Sequence, residues 1–451
     1  MGHVPRSGGW FGDEKGWRVM GRRTAWWRAV CRVAVVGAVL CGTGAGAGGS
    51  AVAAGTPTPY AFSPDATTVP GVGSTADAVR LESGRTYRSS LPVSEDVYYR
   101  LELDATSSAY VSATAVPPAD AVVSASDGIR VSVQDADSRS CNSETENFGG
   151  GSSARPITAV AMRERSATRT RCGEAGTYYV VVERVGTTTA DDVDWDLELA
   201  TFSEPPLAEA APSSAPEAWD SASPTPQTGE AVRRSGGAGF ASAVSVGQGV
   251  WRSDISPGQT VFYKVPVGWG ERPHASAELA SSGEGSRVVV GALELSVHNP
   301  VRAPLDDVSL NYNGSQRSAS LDPLPPVAYE NRYGSTDQVK GMRFGGSYYL
   351  VVHLGAQVAE RFGDGPFVLT LRVRVDGSKG GGPVYEGRFR PQDVFASPVG
   401  VGEPGVVPSG GGGAGDDDAL MTVVAVSGIG GGTVILAVLG VWTGLGRRRA
   451  S

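Results

Sequence analysis

Catalytic motifs are scarce in this sequence of 451 residues. It contains four histidines and four cysteines, and it has neither a Gly-x-Ser-x-Gly nor a Ser-x-x-Lys motif that would place a base beside a nucleophilic serine. A Gly-x-x-x-x-Gly-Lys phosphate loop is also missing, and the glycine runs stand in segments without periodicity. We therefore expect a protein that is not an enzyme.

Positive charge is the next feature in short supply. Without residues 1–53 and the three arginines of 447–449, the chain keeps 29 basic and 45 acidic residues, a net charge of −16. Such a surface repels the phosphate backbone over a Debye length of about 8 to 10 Å. We expect no nucleic-acid partner.

The N-terminus has the three-part pattern of a secretory signal peptide, which we place at residues 1–53. Arginines from Arg22 to Arg32 precede an apolar run at 33–40, and small residues follow up to Ala53. Translation starting at Met20 is an alternative, because the first nineteen residues are unlike a signal peptide. The mature chain is expected outside the cytoplasm.

The C-terminus has the pattern of a single membrane span. Three aspartates at 416–418 precede an uncharged stretch, 419–446, that is long enough to cross a layer of ~30 Å as a helix. Arginines begin the expected cytoplasmic tail, 447–451, and place the C-terminus inside the cell. No LPxTG-like pentapeptide precedes the stretch, which favours membrane retention over sortase processing.

Small residues in the expected span could form a flat seam for close contact with another helix. Such a seam predicts a homo-oligomer or a pair with a partner's helix. The alternative is chance, because glycine is abundant throughout the chain. The spacing Gly-x-x-x-Gly occurs twice, at Gly428 and Gly432 and at Gly440 and Gly444.

Cys141 and Cys172 are the two cysteines that remain after signal removal. An oxidising compartment favours their pairing, so we predict a disulfide. Closing a loop of about thirty residues would stabilise the fold by roughly 3 to 4 kcal/mol. A structural metal site would need more ligands than these cysteines and the scattered histidines supply.

Three segments rich in Gly, Pro, Ala, Ser or Thr divide the exported part of the chain. We predict a disordered segment at 54–77, a linker at 203–240 and a stalk at 377–418. Between them lie two blocks, 78–202 and 241–376, that show alternation of apolar and polar residues and no long amphipathic helix. The predicted fold is all-β, with two tandem β-sandwiches of the jelly-roll kind and one C-terminal transmembrane helix.

The two blocks also resemble each other, which predicts a tandem duplication. An aromatic pair stands on an early strand of each block, Tyr98-Tyr99 in the first and Phe262-Tyr263 in the second. A later Gly-x-Tyr-Tyr strand contains Tyr178 in the first block and Tyr348 in the second. We expect equivalent strands, independently folded blocks and few contacts across the linker.

These paired motifs are similar to those of the bacterial pre-peptidase C-terminal domain family, and the excess of arginine over lysine resembles that of actinobacterial proteins. The resemblance implies jelly-roll-like β-sandwiches attached to secreted or surface proteins, with contacts to surfaces or polymers and, in some members, calcium. No peptidase domain accompanies the two blocks here. The resemblance therefore implies an auxiliary function rather than a catalytic one.

Acidic clusters and tyrosine pairs are the candidate ligand sites. Calcium binds six to eight oxygens, which carboxylates and carbonyls of loops can supply. The alternative, which we favour, is that acidic residues cap strand ends and keep the edges soluble. For the tyrosines we favour core packing over a platform for carbohydrate. The calcium candidates are Asp135, Asp137, Asp191, Asp192 and Asp194.

The sequence as a whole predicts a cell-surface protein, held in the cell membrane by one helix, with its N-terminus outside and its C-terminus in the cytoplasm. Its partner would be an envelope or secreted protein, and no cofactor is expected. The alternative function is an accessory subunit of a membrane complex for secretion or processing, in which the span would be the docking helix.

Overall fold

The computed structural model describes residues 58–165, 171–186, 193–216, 218–283 and 287–395. The predicted signal peptide, membrane span and cytoplasmic tail lie outside these residues. Asp191, Asp192 and the four glycines from Gly428 to Gly444 lie outside them too. Within the described ranges, no helix is both long and apolar enough to cross a membrane.

The first block forms two sheets of five strands, in the orders β1-β3-β10-β5-β8 and β2-β4-β9-β6-β7. The two sheets enclose an apolar core that includes Leu91, Tyr99, Ile129 and Leu197. The strands are β1 (Thr67–Thr68), β2 (Val79–Arg80), β3 (Thr86–Leu91), β4 (Val97–Leu103), β5 (Ser108–Val116), β6 (Gly128–Asp135), β7 (Ser140–Asn147), β8 (Ile157–Arg163), β9 (Gly176–Val185) and β10 (Trp195–Glu204).

The second block also forms two five-stranded sheets, β11-β13-β20-β15-β18 and β12-β14-β19-β16-β17. Three short helices accompany them: α1 (Asp337–Gly341), α2 (Gln357–Phe362) and α3 (Gln392–Phe395). The strands are β11 (Ala231–Arg233), β12 (Val244–Ser245), β13 (Gly249–Ile255), β14 (Thr260–Val267), β15 (Glu271–Leu279), β16 (Val289–His298), β17 (Pro304–Tyr312), β18 (Arg317–Ser320), β19 (Gly346–Leu354) and β20 (Phe367–Gly377).

Alternation along the strands explains why these residues form sandwiches. On β20, Phe367, Leu369, Leu371 and Val373 are buried, while the residues between them are partly exposed. Successive side chains of a strand point to opposite faces, so this spacing gives each sheet one apolar face to bury against the other sheet. Each block has its own core, and the described part of the chain is all-β with two β-sandwiches.

The two sandwiches have the same topology, with the strand order of a jelly roll. The eight longer strands of each sandwich are β3 to β10 in the first and β13 to β20 in the second. When each set is numbered 1 to 8 along the chain, one sheet has the order 1-8-3-6 and the other 2-7-4-5 in both sandwiches. Tyr178 on β9 and Tyr348 on β19 therefore lie on equivalent strands. No sheet mixes strands of the two blocks, so the predicted repeat of one topology is confirmed in the described residues.

Side-chain hydrogen bonds repeat together with the topology. The hydroxyl of Tyr99 donates to Ser89 Oγ at 2.8 Å, and the hydroxyl of Tyr263 lies 3.0 Å from Ser253 Oγ. Near the start of the seventh strand, the hydroxyl groups of Tyr178 and Tyr348 donate to backbone carbonyls four residues upstream, at 2.7 and 2.9 Å. These four rings are buried, as the core interpretation of the tyrosine pairs expected.

The predicted boundaries of the repeat need correction, because both copies begin earlier in the chain. Residues 58–77, within the expected disordered segment, include β1, which pairs in parallel with β3. Likewise β11 lies within the expected linker 203–240 and pairs in parallel with β13. Backbone hydrogen bonds hold these two short strands in their sheets. Such bonds form whatever the side chains are, so the short strands lack the apolar alternation by which the longer strands were predicted.

The predicted stalk also needs correction at its beginning. Residues 377–395 are packed on the sandwiches: the backbone N–H of Gly380 donates to the carbonyl of Trp269 at 2.7 Å. Arg390 forms a backbone bridge with Ser203, at the end of β10. Phe389 stacks on Phe395 at a centroid distance of 4.3 Å. Aromatic side chains near the end of this glycine-rich segment therefore attach it to the fold.

Extensive packing joins the two sandwiches, so the expectation of few contacts across the linker is wrong. A shared apolar cluster combines Tyr110, Val160 and Phe202 of the first sandwich with Val301 and Phe344 of the second. The ring of Tyr110 meets that of Phe344 edge to face at 5.4 Å. The outer face of the sheet that contains β5 and β10 is covered, which is why these two strands are buried on both faces.

Candidate functional site between the two sandwiches

Buried ion pairs cross the interface between the sandwiches. Their arginine side chains are 5–8% exposed, and a charge at such depth is tolerated when it is paired and hydrogen-bonded. The pairing fixes how the two sandwiches meet. In the described residues, the nitrogen–oxygen distances are 2.6 Å for Arg302–Glu198, 2.5 Å for Arg332–Glu204, 2.7 Å for Arg343–Glu164 and 2.7 Å for Arg155–Glu294.

Strand β10 supplies two of these glutamates because its outward side chains face the second sandwich. Glu204 also accepts a hydrogen bond from the hydroxyl of Tyr110 at 2.6 Å and one from Tyr385 at 3.3 Å. Burial raises the pKa of Tyr110 well above its usual value, so the hydroxyl keeps its proton and remains a donor. Each oxygen of the Glu204 carboxylate therefore has a donor.

A cleft of about 610 Å³ opens beside these ion pairs. We call it the inter-sandwich cleft, and residues of both sandwiches line it. Its apolar wall consists of Ala159, Val160, Met162, Val301, Ala303 and Pro304. Its charged residues are four acidic ones, Glu144, Glu146, Glu164 and Asp337, and four basic ones, Arg171, Arg332, Lys340 and Arg343.

Two strand edges border the inter-sandwich cleft on the side of the first sandwich. In the described residues, β7 pairs with β6 alone and β8 pairs with β5 alone, so each strand ends its sheet. The side-chain oxygen of Asn142 accepts from the backbone N–H of Met162 at 3.0 Å and joins the two edges at one point. Strand edges carry backbone donors and acceptors that an extended peptide can use.

The predicted disulfide is present and forms part of the cleft. Cys141 on β7 is bonded to Cys172, with 5.8 Å between their Cα atoms. Both cysteines line the inter-sandwich cleft, so the bridge ties the loop before β9 to the edge of the sheet. The disulfide suits a compartment outside the cytoplasm.

A serine and a histidine that are far apart in sequence meet at the interface. His353 Nε2 lies 2.9 Å from Ser153 Oγ, and Nδ1 lies 3.0 Å from Thr260 Oγ1. The distances are those of a nucleophile and a base. Both side chains are buried, however, and burial lowers the pKa of His353 to about 3, which makes the ring a weak base. Ser153 Oγ also accepts from the N–H of Ala356, so the contact supports a structural role.

Three of the calcium candidates, Asp135, Asp137 and Asp194, lie in the described residues and do not form a metal site there. Asp135 accepts hydrogen bonds from the N–H groups of Asp137 and Arg139 and from Arg139 Nε, at 2.9 to 3.0 Å. Arg139 also pairs with Asp137 at 2.7 Å, so this arginine occupies the place that a cation would take. Hydrogen bonds hold the pKa of Asp135 below its usual value, although its slight burial acts in the opposite direction. This carboxylate shapes a turn.

Asp194 lies apart from that turn, and its Oδ2 is 3.4 Å from Ser90 Oγ. Asp191 and Asp192 lie outside the described residues, and their part in the calcium prediction stays untested. Within the described ranges, no three His, Cys, Asp or Glu side chains are grouped so that they could hold a metal ion.

Comparison with known families gives no match for this sequence, and no curated protein matches it. Among solved structures, arabinose-bound MgGH51 a-L-arabinofuranosidase is 16% identical over 29% of this chain and 18% of its own length, with a TM-score of 0.15. The CBM22-1-CBM22-2 tandem domain from Paenibacillus barcinonensis Xyn10C is 11% identical, covering 64% of this chain and 85% of its own, with a TM-score of 0.17.

Tripeptidyl peptidase 2 is 6% identical to this chain over 68% of it and 24% of its own length, with a TM-score of 0.20. The chain thus spans less than a quarter of the length of this structure and of the arabinofuranosidase. These TM-scores lie far below 0.5, so the similarities carry no argument about what the protein does.

Proposed function

We propose that the protein is a non-enzymatic binding protein of the cell surface and that it takes up a segment of an envelope or secreted protein in the inter-sandwich cleft. The observation that carries the proposal is the cleft itself, which neither sandwich forms alone. Its volume of about 610 Å³ lies within the usual range of ligand pockets, roughly 300 to 1,000 Å³.

The lining of the cleft favours a peptide segment of mixed charge. Acidic and basic side chains are balanced, so neither a polyanion nor a polycation is preferred. The edges of β7 and β8 offer backbone hydrogen bonds, and the apolar wall can receive side chains that alternate along an extended peptide.

The disulfide supports the proposed location outside the cytoplasm, and residues 419–446 are proposed to anchor the protein in the cell membrane. Membership of the pre-peptidase C-terminal family stays a prediction that the strand order permits. The absence of enzymatic activity is part of the proposal, and it is supported by the buried, weakly basic histidine beside Ser153.

Site-specific photo-crosslinking in the producing cell tests this proposal. Benzoylphenylalanine replaces Lys340, a residue of the cleft whose side chain is 41% exposed. In a matched control it replaces Arg317, an exposed cation on β18 outside the cleft. We expect an adduct of defined mass with one exported protein from position 340 and none from position 317. The adduct should diminish by at least tenfold when Ala303→Trp narrows the cleft.

Equal adducts from both positions would contradict the proposal, and so would the absence of any adduct at position 340 in folded protein. An adduct that Ala303→Trp leaves unchanged would place the binding surface elsewhere. The fold of each variant is checked by circular dichroism and by its thermal midpoint before the cross-linking is compared.

A further inference from the structure

A second, smaller cavity lies at the same interface, with a volume of about 220 Å³. We call it the Arg155 cavity. Its polar lining combines Glu146 and Arg155 of the first sandwich with Glu294, Asp307 and His353 of the second. It shares Glu146 and Pro304 with the inter-sandwich cleft, but its arginine and its two histidines, His298 and His353, line this cavity alone.

Arg155 has an unused hydrogen-bond donor. Its side chain is 8% exposed, and its Nη2 donates to Glu294 Oε1 at 2.7 Å. Its Nη1 is buried and has no hydrogen-bond partner among the described residues. A buried donor without an acceptor costs about 1 to 3 kcal/mol, so an acceptor that enters the cavity would stabilise the structure.

Carboxylates outnumber positive charges around this arginine. Burial, together with Asp307 and Glu294, raises the pKa of Glu146 to about 7, although Arg155 acts in the opposite direction. Burial likewise raises the pKa of Glu294, again against Arg155. Four carboxyl groups line the cavity, those of Glu146, Glu294, Asp306 and Asp307, against one guanidinium. The cavity therefore holds more negative charge than Arg155 can compensate, and a cation would relieve the repulsion.

The two histidines of the cavity are already occupied. His298 Nε2 is 3.0 Å from Ser296 Oγ and Nδ1 is 3.1 Å from the carbonyl of Arg302, while both ring nitrogens of His353 also have partners. Burial lowers the pKa of His298 to about 4, so this ring is neutral near pH 7 and does not repel a cation. These occupied rings and the neighbouring guanidinium make a metal ion a poor fit.

We propose that the Arg155 cavity binds a small zwitterion of the α-amino acid class, whose carboxylate accepts from Arg155 Nη1 and whose ammonium group lies beside Glu146 and Asp307. A simple anion would meet four carboxyl groups, and a simple cation would leave Nη1 unpaired. The volume of about 220 Å³ leaves room for an amino acid with a small side chain. This site is independent of the partner proposed for the inter-sandwich cleft.

Titration of the purified full chain with glycine tests the inference, followed by ligand-observed NMR or calorimetry. Acetate and methylammonium, the two halves of the zwitterion, serve as comparison probes at equal ionic strength. We expect glycine to bind at least tenfold more tightly than either half. Glu146→Gln and Asp307→Asn should each weaken glycine binding by at least fivefold, whereas Asp337→Asn, an equal change of charge in the cleft, should not alter it.

Asp307 is exposed, so Asp307→Asn tests the site without disturbing the fold even if Glu146→Gln proves unstable. Methylammonium binding as tightly as glycine would show a simple cation site and overturn the inference. The absence of saturable glycine binding would show that water fills the cavity, and an equal effect of Asp337→Asn would show unspecific attraction. Each of these two results would overturn the inference of an amino-acid site. Neither depends on the outcome of the cross-linking in the inter-sandwich cleft.

Discussion

Replacing Glu198 by alanine is expected to lower the free energy of unfolding by about 3 to 5 kcal/mol, because it leaves Arg302 buried without a counter-charge. The two side chains are 1% and 8% exposed, and Arg302 Nη1 donates to Glu198 Oε1 at 2.6 Å. The carboxylate also accepts from the hydroxyl of Tyr60 at 3.1 Å and from the N–H of Ser63 at 2.8 Å. Urea denaturation followed by tryptophan fluorescence measures the loss.

Glu183→Ala is the matched control, since it removes a glutamate from an ion pair at the surface. Arg130 and Glu183 are 2.8 Å apart but 47% and 30% exposed, so we expect a loss below about 1 kcal/mol. If the two variants lost equal stability, the contact between Glu198 and Arg302 would not help to hold the sandwiches together.

Replacing Phe344 by alanine is expected to destabilise the protein by about 3 to 5 kcal/mol, through lost burial and the cavity left behind. Phe344 is 1% exposed and belongs to the second sandwich, yet its ring meets Tyr110 of the first. It also meets Phe395, near the end of the described chain, at 5.7 Å. The midpoint and slope of the same urea transition measure the effect.

Tyr333→Ala provides the control for the loss of an aromatic ring, because Tyr333 is exposed. A surface substitution of this kind should change stability by about 0.5 kcal/mol or less. A loss below 1 kcal/mol for Phe344→Ala would mean that the shared aromatic cluster contributes little to the interface.

Alternation identified the strands that are buried on one face. The predicted strand 97–103 coincides with β4, and the predicted strand 367–375 lies within β20. Both could be predicted because each strand presents one apolar face to the core of its own sandwich. Strand β5 is buried on both faces because the second sandwich covers its outer face, although its sequence places the polar residues Ser112 and Thr114 on that face. Strand β7 is polar on both sides because it ends its sheet, so its composition resembled that of a loop.

The contact between the sandwiches could not be predicted from the motifs, because its partners are far apart in sequence. Glu164 and Arg343 are separated by 179 residues, and a charged residue in an alternating pattern ordinarily indicates solvent. One signal was available: Ala200 and Phe202 occupy the outward positions of β10, where an exposed face would carry polar residues. These two apolar residues indicate that the outer face of β10 is buried too, and a second buried face predicts that another part of the protein packs on it.

The disulfide and the repeat were predictable for a simpler reason. Two cysteines leave one pairing, and the tyrosine motifs of the two blocks recur in the same order at similar spacing. The calcium prediction took Asp135 and Asp137 as ligands without considering Arg139, two residues further on, whose guanidinium pairs with both of them.

Differential scanning calorimetry of the purified protein tests the central claim, that the two sandwiches form one structural unit with a site between them. The buried ion pairs and the shared aromatic cluster predict one transition for both sandwiches, with a calorimetric enthalpy equal to the van't Hoff enthalpy. Glu198→Ala should lower its midpoint without splitting it. Two separate transitions in the unaltered protein, each retained when the other sandwich is deleted, would contradict the claim.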